Sequence, residues 1–473
     1  MNIKAITFMK NFSYTLSSNL ISMIISTIVI LIVPKVLGVE DYGYWQLYLF
    51  YASFVGFLHF GWNDGIYLRY GGIEYRDLNK DMFFSQFWLL VILQVIIGTV
   101  VIGLSTTFNS DNNKSFILIM TAFCMLIVNI RYMLIYILQA TNRIKEYAQI
   151  TLIERVLYII LILFLLIVGI KQYKIIIAAD LAGKFFSLLY SIFCCKDIVF
   201  KKISTFYLNL KETFENIRVG IKLMFSNIAG MLIVGIVQFG IERTWDVATF
   251  GKVSLTLVVS NLMLVFINAV GIILFPVLRR TSKEALPRIY KTMRTTLMVP
   301  LLGLLVVYFP LKVFLSAWLP QYNESLIYMS LLFPMCVFEG KMALLINTYL
   351  KTLRKEKWML TINLVTVLLS IILTFSFTLV FKSLTFAIVS IVILMAFRCL
   401  LAEVYLSKVL NIIVHKDIII EMTMTLLFIL IGWFMPSSWM GIASYLVIYG
   451  LYLLIKRKDL NTTLVEVKQL IKG

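Results

Sequence analysis

Charged residues are scarce in this 473-residue sequence: only 14% are Asp, Glu, Lys or Arg, where soluble domains carry roughly 25%. That scarcity, with 61% hydrophobic residues and a mean hydropathy of +0.93, excludes a soluble domain on a single anchor. Most of the chain must lie inside a bilayer. Histidine is nearly absent. His59 and His415 are the two present, too few for a His-rich metal site and a poor basis for a His-dependent hydrolase. The five cysteines (Cys124, Cys194, Cys195, Cys336 and Cys399) sit in apolar runs and form no C-x-x-C pair, so they read as small buried hydrophobes. There is no G-x-x-x-x-G-K-[ST] stretch and no soluble segment to hold one, which argues against nucleotide-driven pumping. No metal and no cofactor are expected.

Long apolar runs dominate what is there. A helix needs roughly 20 apolar residues to cross a bilayer. The sequence offers fourteen such runs, at about 12–37, 44–68, 82–107, 115–139, 149–169, 174–195, 219–242, 250–278, 292–318, 325–350, 359–381, 383–407, 418–435 and 437–455. The expected fold class is an all-α polytopic membrane protein. The first run follows MNIKAITFMK without a small-residue cleavage site, and reads as a retained span.

Lys and Arg fix the orientation. Thirty of them lie at one set of span ends and seven at the other, with six inside spans. Alternation that persists across fourteen spans supports the span count itself, and it predicts that both termini are cytoplasmic. The net charge of +19 is thus explained by topology, and no nucleic-acid partner is needed. Two cytoplasmic stretches, 204–218 and the tail 458–473, put apolar residues on one face (Phe206, Leu210, Phe214 and Ile217 in the first). Both are expected to be amphipathic helices lying in the interface.

The chain repeats itself. SNLISMIISTIVILIVPKVLGVEDYG (18–43) and SNIAGMLIVGIVQFGIERTWDVATFG (226–251) both open on Ser-Asn and close on an aromatic-Gly step, at an offset of 208. Two lobes of the same orientation follow, related by an axis along the membrane normal. The expected organisation is an N-terminal six-helix lobe over 1–203, a connector over 204–218, a C-terminal six-helix lobe over 219–410, two extra spans over 411–457 and the tail. Glu40 and Asp41 stand side by side in the first external gap, but the second copy keeps a single acid, Asp246. The shared element is the helix break, so VEDYG reads as a tight external turn with a helix N-cap.

VPKVLGVEDYGYW after the first span, with GWNDGIYLRYGG ending the second, resembles the polysaccharide flippases. These are O-antigen and capsule repeat-unit translocases of the multidrug/oligosaccharidyl-lipid/polysaccharide exporter superfamily. The resemblance covers the full length. It implies alternating access with the cavity between the lobes, and translocation of undecaprenyl-diphosphate-linked oligosaccharide from the inner to the outer leaflet of a bacterial cytoplasmic membrane. It also implies membrane lipid, a polysaccharide polymerase and chain-length proteins as partners.

An ionisable residue within a span is costly unless it faces protein or a water-filled cavity. Arg131, Arg155, Lys184, Lys312, Lys341 and Arg398 are the six basic ones, and Asp180, Glu339, Glu154 and Glu403 are deep acids. Asp180 and Lys184 are four positions apart and can neutralise each other; Glu154 and Arg155 can snorkel towards a membrane surface. Arg131 has no acid within one turn, Lys341 faces away from Glu339, and Glu403 is poorly spaced for Arg398. A cavity holding Arg131, Lys341 and Arg398 could receive a diphosphate, with Lys184 as a further candidate. Asn19 and Asn227, matched by the repeat, could touch cargo or make interhelical hydrogen bonds. Asp64, Asp180 and Glu339 are candidates for coupling to an ion.

Two other readings stay open. A drug/cation antiporter of the same superfamily would favour an acidic cavity, whereas the deep residues here are net basic. A polyprenyl-phosphate-sugar-dependent glycosyltransferase could use Glu40/Asp41, but such an enzyme needs long external loops, and none here exceeds about ten residues. A transporter rather than an enzyme is expected.

Overall fold

The computed structural model describes residues 3–108, 111–279, 285–435 and 439–463. It is all-helical over these. In order the helices are α1 (Ile3–Val36), α2 (Val39–Phe54), α3 (Trp62–Arg69), α4 (Lys80–Phe108), α5 (Asn112–Ala140), α6 (Ile144–Ile167), α7 (Tyr173–Cys194), α8 (Lys196–Val199), α9 (Leu210–Thr244), α10 (Val247–Arg279), α11 (Leu286–Leu304), α12 (Tyr308–Trp318), α13 (Met329–Leu332), α14 (Met335–Lys341), α15 (Asn347–Thr352), α16 (Glu356–Thr374), α17 (Leu384–Val409), α18 (His415–Phe434) and α19 (Trp439–Ile455). Twelve helical segments among the described residues are long and apolar enough to cross a membrane, and α19 with the bent segment after it makes a thirteenth. Each matches one expected span. The fourteenth, at 44–68, is present but broken.

Contacts divide the chain into two units, residues 1–228 and 229–473. The boundary falls inside the continuous helix α9. The stretch 204–218, expected as a separate amphipathic helix, is a 3₁₀ turn at Ile203–Thr205, a short extended run and the first turns of α9. Most of the tail expected as a helix lies outside the described residues, as does the Pro436 gap between the last two spans.

In the first unit α5 is central, packed on α2, α3, α4, α6 and α7. In the second unit the central element is the segment Ser325–Thr352, of which 89% of the most apolar window is buried. It is irregular: Pro334 interrupts it between α13 and α14, and a π-helical turn at Met342–Ile346 follows Lys341. The repeat offset pairs these two central elements, the fourth and tenth spans.

The break in the second span is built rather than accidental. Phe60 and Gly61 both take positive φ (54° and 81°), and seven residues lie between the end of α2 and the start of α3. Backbone freed at such a break must find partners inside a membrane. The Asn129 side-chain amide donates to the Val55 carbonyl at 3.0 Å, and the Gln94 amide to the Leu58 carbonyl at 3.0 Å. Gly61 and Gly65 let α3 lie backbone to backbone on the start of α9, as small residues do in membrane helix pairs. A Cβ at Gly65 would fall 1.9 Å from the Asn216 carbonyl oxygen, and one at Gly220 2.0 Å from that of Gly61. Arg69, at the end of α3, then binds Glu212 (2.5 Å), Asn216 (2.6 Å) and Glu215 (3.0 Å) on α9.

The VEDYG stretch forms the first turn of α2. Gly38, not an acid, is the N-cap, and neither carboxylate caps the helix; both sit where the positive end of the helix favours negative charge. The repeat-related Asp246 does cap α10. Its Oδ1 accepts from the Thr249 N–H at 2.8 Å, and the Thr249 donors hold its carboxyl below the usual range.

Candidate functional site

Within the first unit a cavity of about 500 Å³ opens beside α5. α5 contributes Arg131, Tyr132, Tyr136 and Gln139 to its wall; α6 contributes Tyr147, Thr151, Glu154 and Arg155; α3 contributes Asp64 and Tyr67; α9 contributes Leu223 and Asn227. Two patterns put them there. On α5, Arg131, Ile135 and Gln139 recur every four residues, with Tyr132 and Tyr136 beside them. On α6, Tyr147, Thr151, Glu154 and Arg155 follow a helical stripe, polar on an otherwise apolar helix.

Arg131 is 4% exposed. Its Nη1 pairs with Glu154 and donates to Ser187 Oγ at 3.1 Å, while its Nε, buried, has no hydrogen-bond partner. The rings of Tyr132 and Tyr136 lie nearly parallel, with centroids 5.9 Å apart and 4° between planes, and Tyr67 stands 5.6 Å from Tyr136. Asp64 lies 3.7 Å from His59 Nε2, next to the break between α2 and α3. Two guanidinium groups, two carboxylates, four tyrosine rings and two amides thus line one cavity of about 500 Å³. That set can bind an oxyanion with charge-assisted hydrogen bonds and cover a sugar ring with aromatic surface.

Of the residues expected from sequence, Arg131, Asn227 and Asp64 share this cavity. Asp180 and Lys184 pair with each other on α7, and Tyr48 donates to Asp180 Oδ2 at 2.7 Å; neither lines the cavity. Asn19 is exposed on α1, whereas its neighbour Ser18 is buried and reaches the Ala148 carbonyl at 3.4 Å. The remaining candidates lie in the second unit, in two separate clusters. Arg398 binds Glu339 Oε2 at 2.9 Å and Asn363 Oδ1 at 2.8 Å. Lys341, 2% exposed, pairs with Glu403 and with Glu421 Oε2, the latter at 2.7 Å. Arg294 completes that cluster, 2.7 Å from Glu403 Oε1 and 2.8 Å from Glu421 Oε1.

Sequence reasoning missed several members. Glu154 and Arg155, read as able to snorkel towards a membrane surface, line the cavity. Arg294 reads as a cation at a span end and Glu421 attracts no notice, yet Glu421 is a buried partner of Lys341 and Arg294 shares both of its carboxylates. Polar stripes on α5 and α6 are the sequence signal for Tyr132, Tyr136 and Tyr147, and Tyr67 on α3 has no such pattern.

A family model described as "Polysaccharide biosynthesis protein" matches residues 8–282. No match is found among curated protein sequences. Among solved structures, the fold is similar to the lipid II flippase MurJ in an inward closed conformation, with a TM-score of 0.59 and 14% identity over 94% of this chain and 99% of that one. It is also similar to a MATE family multidrug resistance transporter of the MOP superfamily in an inward-facing conformation (TM-score 0.56, 14% identity, 82% of this chain and 94% of that one). A MATE protein in its straight conformation gives 0.53 at 14% identity, over 83% and 93%. At such identity the likeness is one of fold.

Proposed function

The chain belongs to the polysaccharide biosynthesis protein family, and from that premise we propose that it is a flippase for undecaprenyl-diphosphate-linked oligosaccharide repeat units. It would work by alternating access in a bacterial cytoplasmic membrane, with both termini cytoplasmic. The observation that carries the reading is the first-unit cavity, where Arg131 and Arg155 stand among Tyr67, Tyr132, Tyr136, Tyr147 and Asn227. Arginine supplies the diphosphate contact and the aromatic and amide groups meet the sugar. Arg398, in the second unit, is proposed as a further diphosphate contact, although Glu339 and Asn363 hold it in this structure. Lys184 and Lys341, each held by carboxylates, are assigned to structure, and Asn19, exposed on α1, is kept as a candidate cargo contact.

The cargo leaves an inside-negative compartment with roughly two negative charges, which releases about 2.3 kcal/mol per charge per 100 mV. Any counter-ion would be bound at Asp64, Asp180 or Glu339. The chemistry gives the protein no bond to make or break, so it acts as a transporter, beside a polymerase and chain-length proteins that use its product.

The likeness to MATE transporters favours one second reading, a drug/cation antiporter. The experiment that separates them reconstitutes the full-length protein in vesicles carrying a polyprenyl-diphosphate-linked oligosaccharide with labelled sugar. Exposure of the sugar to an external lectin should accelerate with the protein present, and Arg131→Gln should abolish that gain. Ion-driven efflux of an organic cation with no movement of the glycan would overturn the proposal.

A further inference from the structure

The second unit holds a cavity of its own, about 340 Å³, away from the Arg398 cluster. Its wall includes Arg288, Lys291, Arg294 and Thr295 from α11, Lys416 from α18 and Thr462 from the segment after α19. Two acids, Asp417 and Asp459, also face it, but they are engaged. Lys456 binds Asp417 and stands 2.7 Å from Asp459 Oδ2, and Arg294 Nη1 lies 3.2 Å from Asp417 Oδ2. Lys291 and Lys416 are exposed and in no ion pair among the described residues. Arg294 is 3% exposed, and its Nη2 has no hydrogen-bond partner. A buried guanidinium with an unused donor, beside two unpaired ammonium groups, makes a site for a tetrahedral oxyanion.

Its depth narrows the ligand. The start of α11, the start of α18 and the end of α19 are all span ends that the Lys/Arg asymmetry assigns to the cytoplasmic side. Beyond α19 the chain turns by 65° into 457–463, the direction of a segment running along the interface. A basic pocket between helices at that level sits among lipid phosphates.

The geometry points to a binding site for the phosphodiester headgroup of an anionic phospholipid, formed by α11, α18 and the segment after α19 and separate from the cargo cavity. The bound headgroup bridges three helices of the second unit and supplies the acceptor that Arg294 lacks.

The test uses the full-length protein in detergent, with lipid binding read by native mass spectrometry and thermal shift. Phosphatidylglycerol should bind and raise the melting midpoint; phosphatidylcholine should not. The triple variant Arg288→Gln/Lys291→Gln/Lys416→Gln should lose at least about tenfold in phosphatidylglycerol affinity, since each basic group near an anionic surface contributes comparably. A control of equal charge loss on another cytoplasmic loop, Lys351→Gln/Arg354→Gln/Lys357→Gln, should stay within about twofold. If the triple variant aggregates, the three single variants are read in the same way, each expected to lose part of the affinity. Equal losses in site and control variants would reduce the effect to general charge and overturn the site. Equal binding of phosphatidylcholine would also overturn it. Saturation by inorganic phosphate without retention of lipid would assign the cavity to a free anion and overturn the lipid.

Discussion

The Nζ of Lys341 stands 2.7 Å from Glu421 Oε2, a residue 80 positions further along the chain. Lys341 also pairs with Glu403, and Arg294 joins both acids, so two cations balance two carboxylates in the core of the second unit. Removing one partner leaves an uncompensated buried charge, which costs about 3–5 kcal/mol. Lys341→Met alone should therefore lower the thermal midpoint and the amount of protein in the membrane. Lys341→Met/Glu421→Met leaves Arg294 with Glu403 and should recover most of the loss. If the double variant is as unstable as the single one, the pairing is not what holds this core.

Arg131 offers the opposite contrast. It too has a carboxylate partner, Glu154, but both face a cavity. Arg131→Gln/Glu154→Gln should restore membrane levels lost in either single variant while glycan export stays about tenfold or more below the parent, since a charge-assisted contact to cargo is gone. Arg131→Lys should retain part of the export, keeping the charge and losing the bidentate fork. Full export in the double variant would move Arg131 from the cargo site to structure.

The broken second span makes a steric prediction. Gly65→Ala places a methyl group 1.9 Å from the Asn216 carbonyl oxygen, where helix backbones must separate to admit it. It should abolish accumulation of folded protein. Gly103→Ala on α4, where nothing lies within 4 Å of the new Cβ, should be neutral or stabilise by about 0.5–1 kcal/mol through helix propensity. Normal levels of Gly65→Ala, measured by size-exclusion of the extracted protein, would contradict the close approach of α3 and α9.

Glu40 and Asp41 test the enzyme reading. In the first turn of α2 the helix end favours their charge by typically about 0.3–1 kcal/mol each, while burial and the neighbouring Glu40 push the Asp41 carboxyl up. Glu40→Gln/Asp41→Asn should leave glycan export nearly unchanged. Complete loss with normal membrane levels would revive a glycosyltransferase that uses this pair.

Topology is checked by labelling single introduced cysteines with a membrane-impermeant reagent. Asn112→Cys and Asn323→Cys should react from outside the cell. Thr352→Cys should react only after permeabilisation, as should Ser282→Cys, at a position outside the described residues. Labelling of all four from outside would sink the fourteen-span orientation.

The sequence by itself determined the class, the family and all of the expected spans but the broken second one. Apolar run length and the Lys/Arg alternation are local properties that the bilayer imposes on any chain, so they are readable one segment at a time. It also determined the pair at Asp180 and Lys184, because four residues along a helix is a fixed distance. What only the tertiary structure decided is which helix faces which. Arg131 finds Glu154, Arg398 finds Glu339, and Lys341 finds Glu403 and Glu421, across separations of 23, 59, 62 and 80 residues. No spacing rule reaches that far. The break at Phe60 and Gly61 was hidden for the same reason: 44–68 is apolar enough to be one span, and the amides that satisfy its freed carbonyls, Gln94 and Asn129, come from two other helices. A buried polar group left without a partner in a membrane is costly, and packing alone decides which partner it meets.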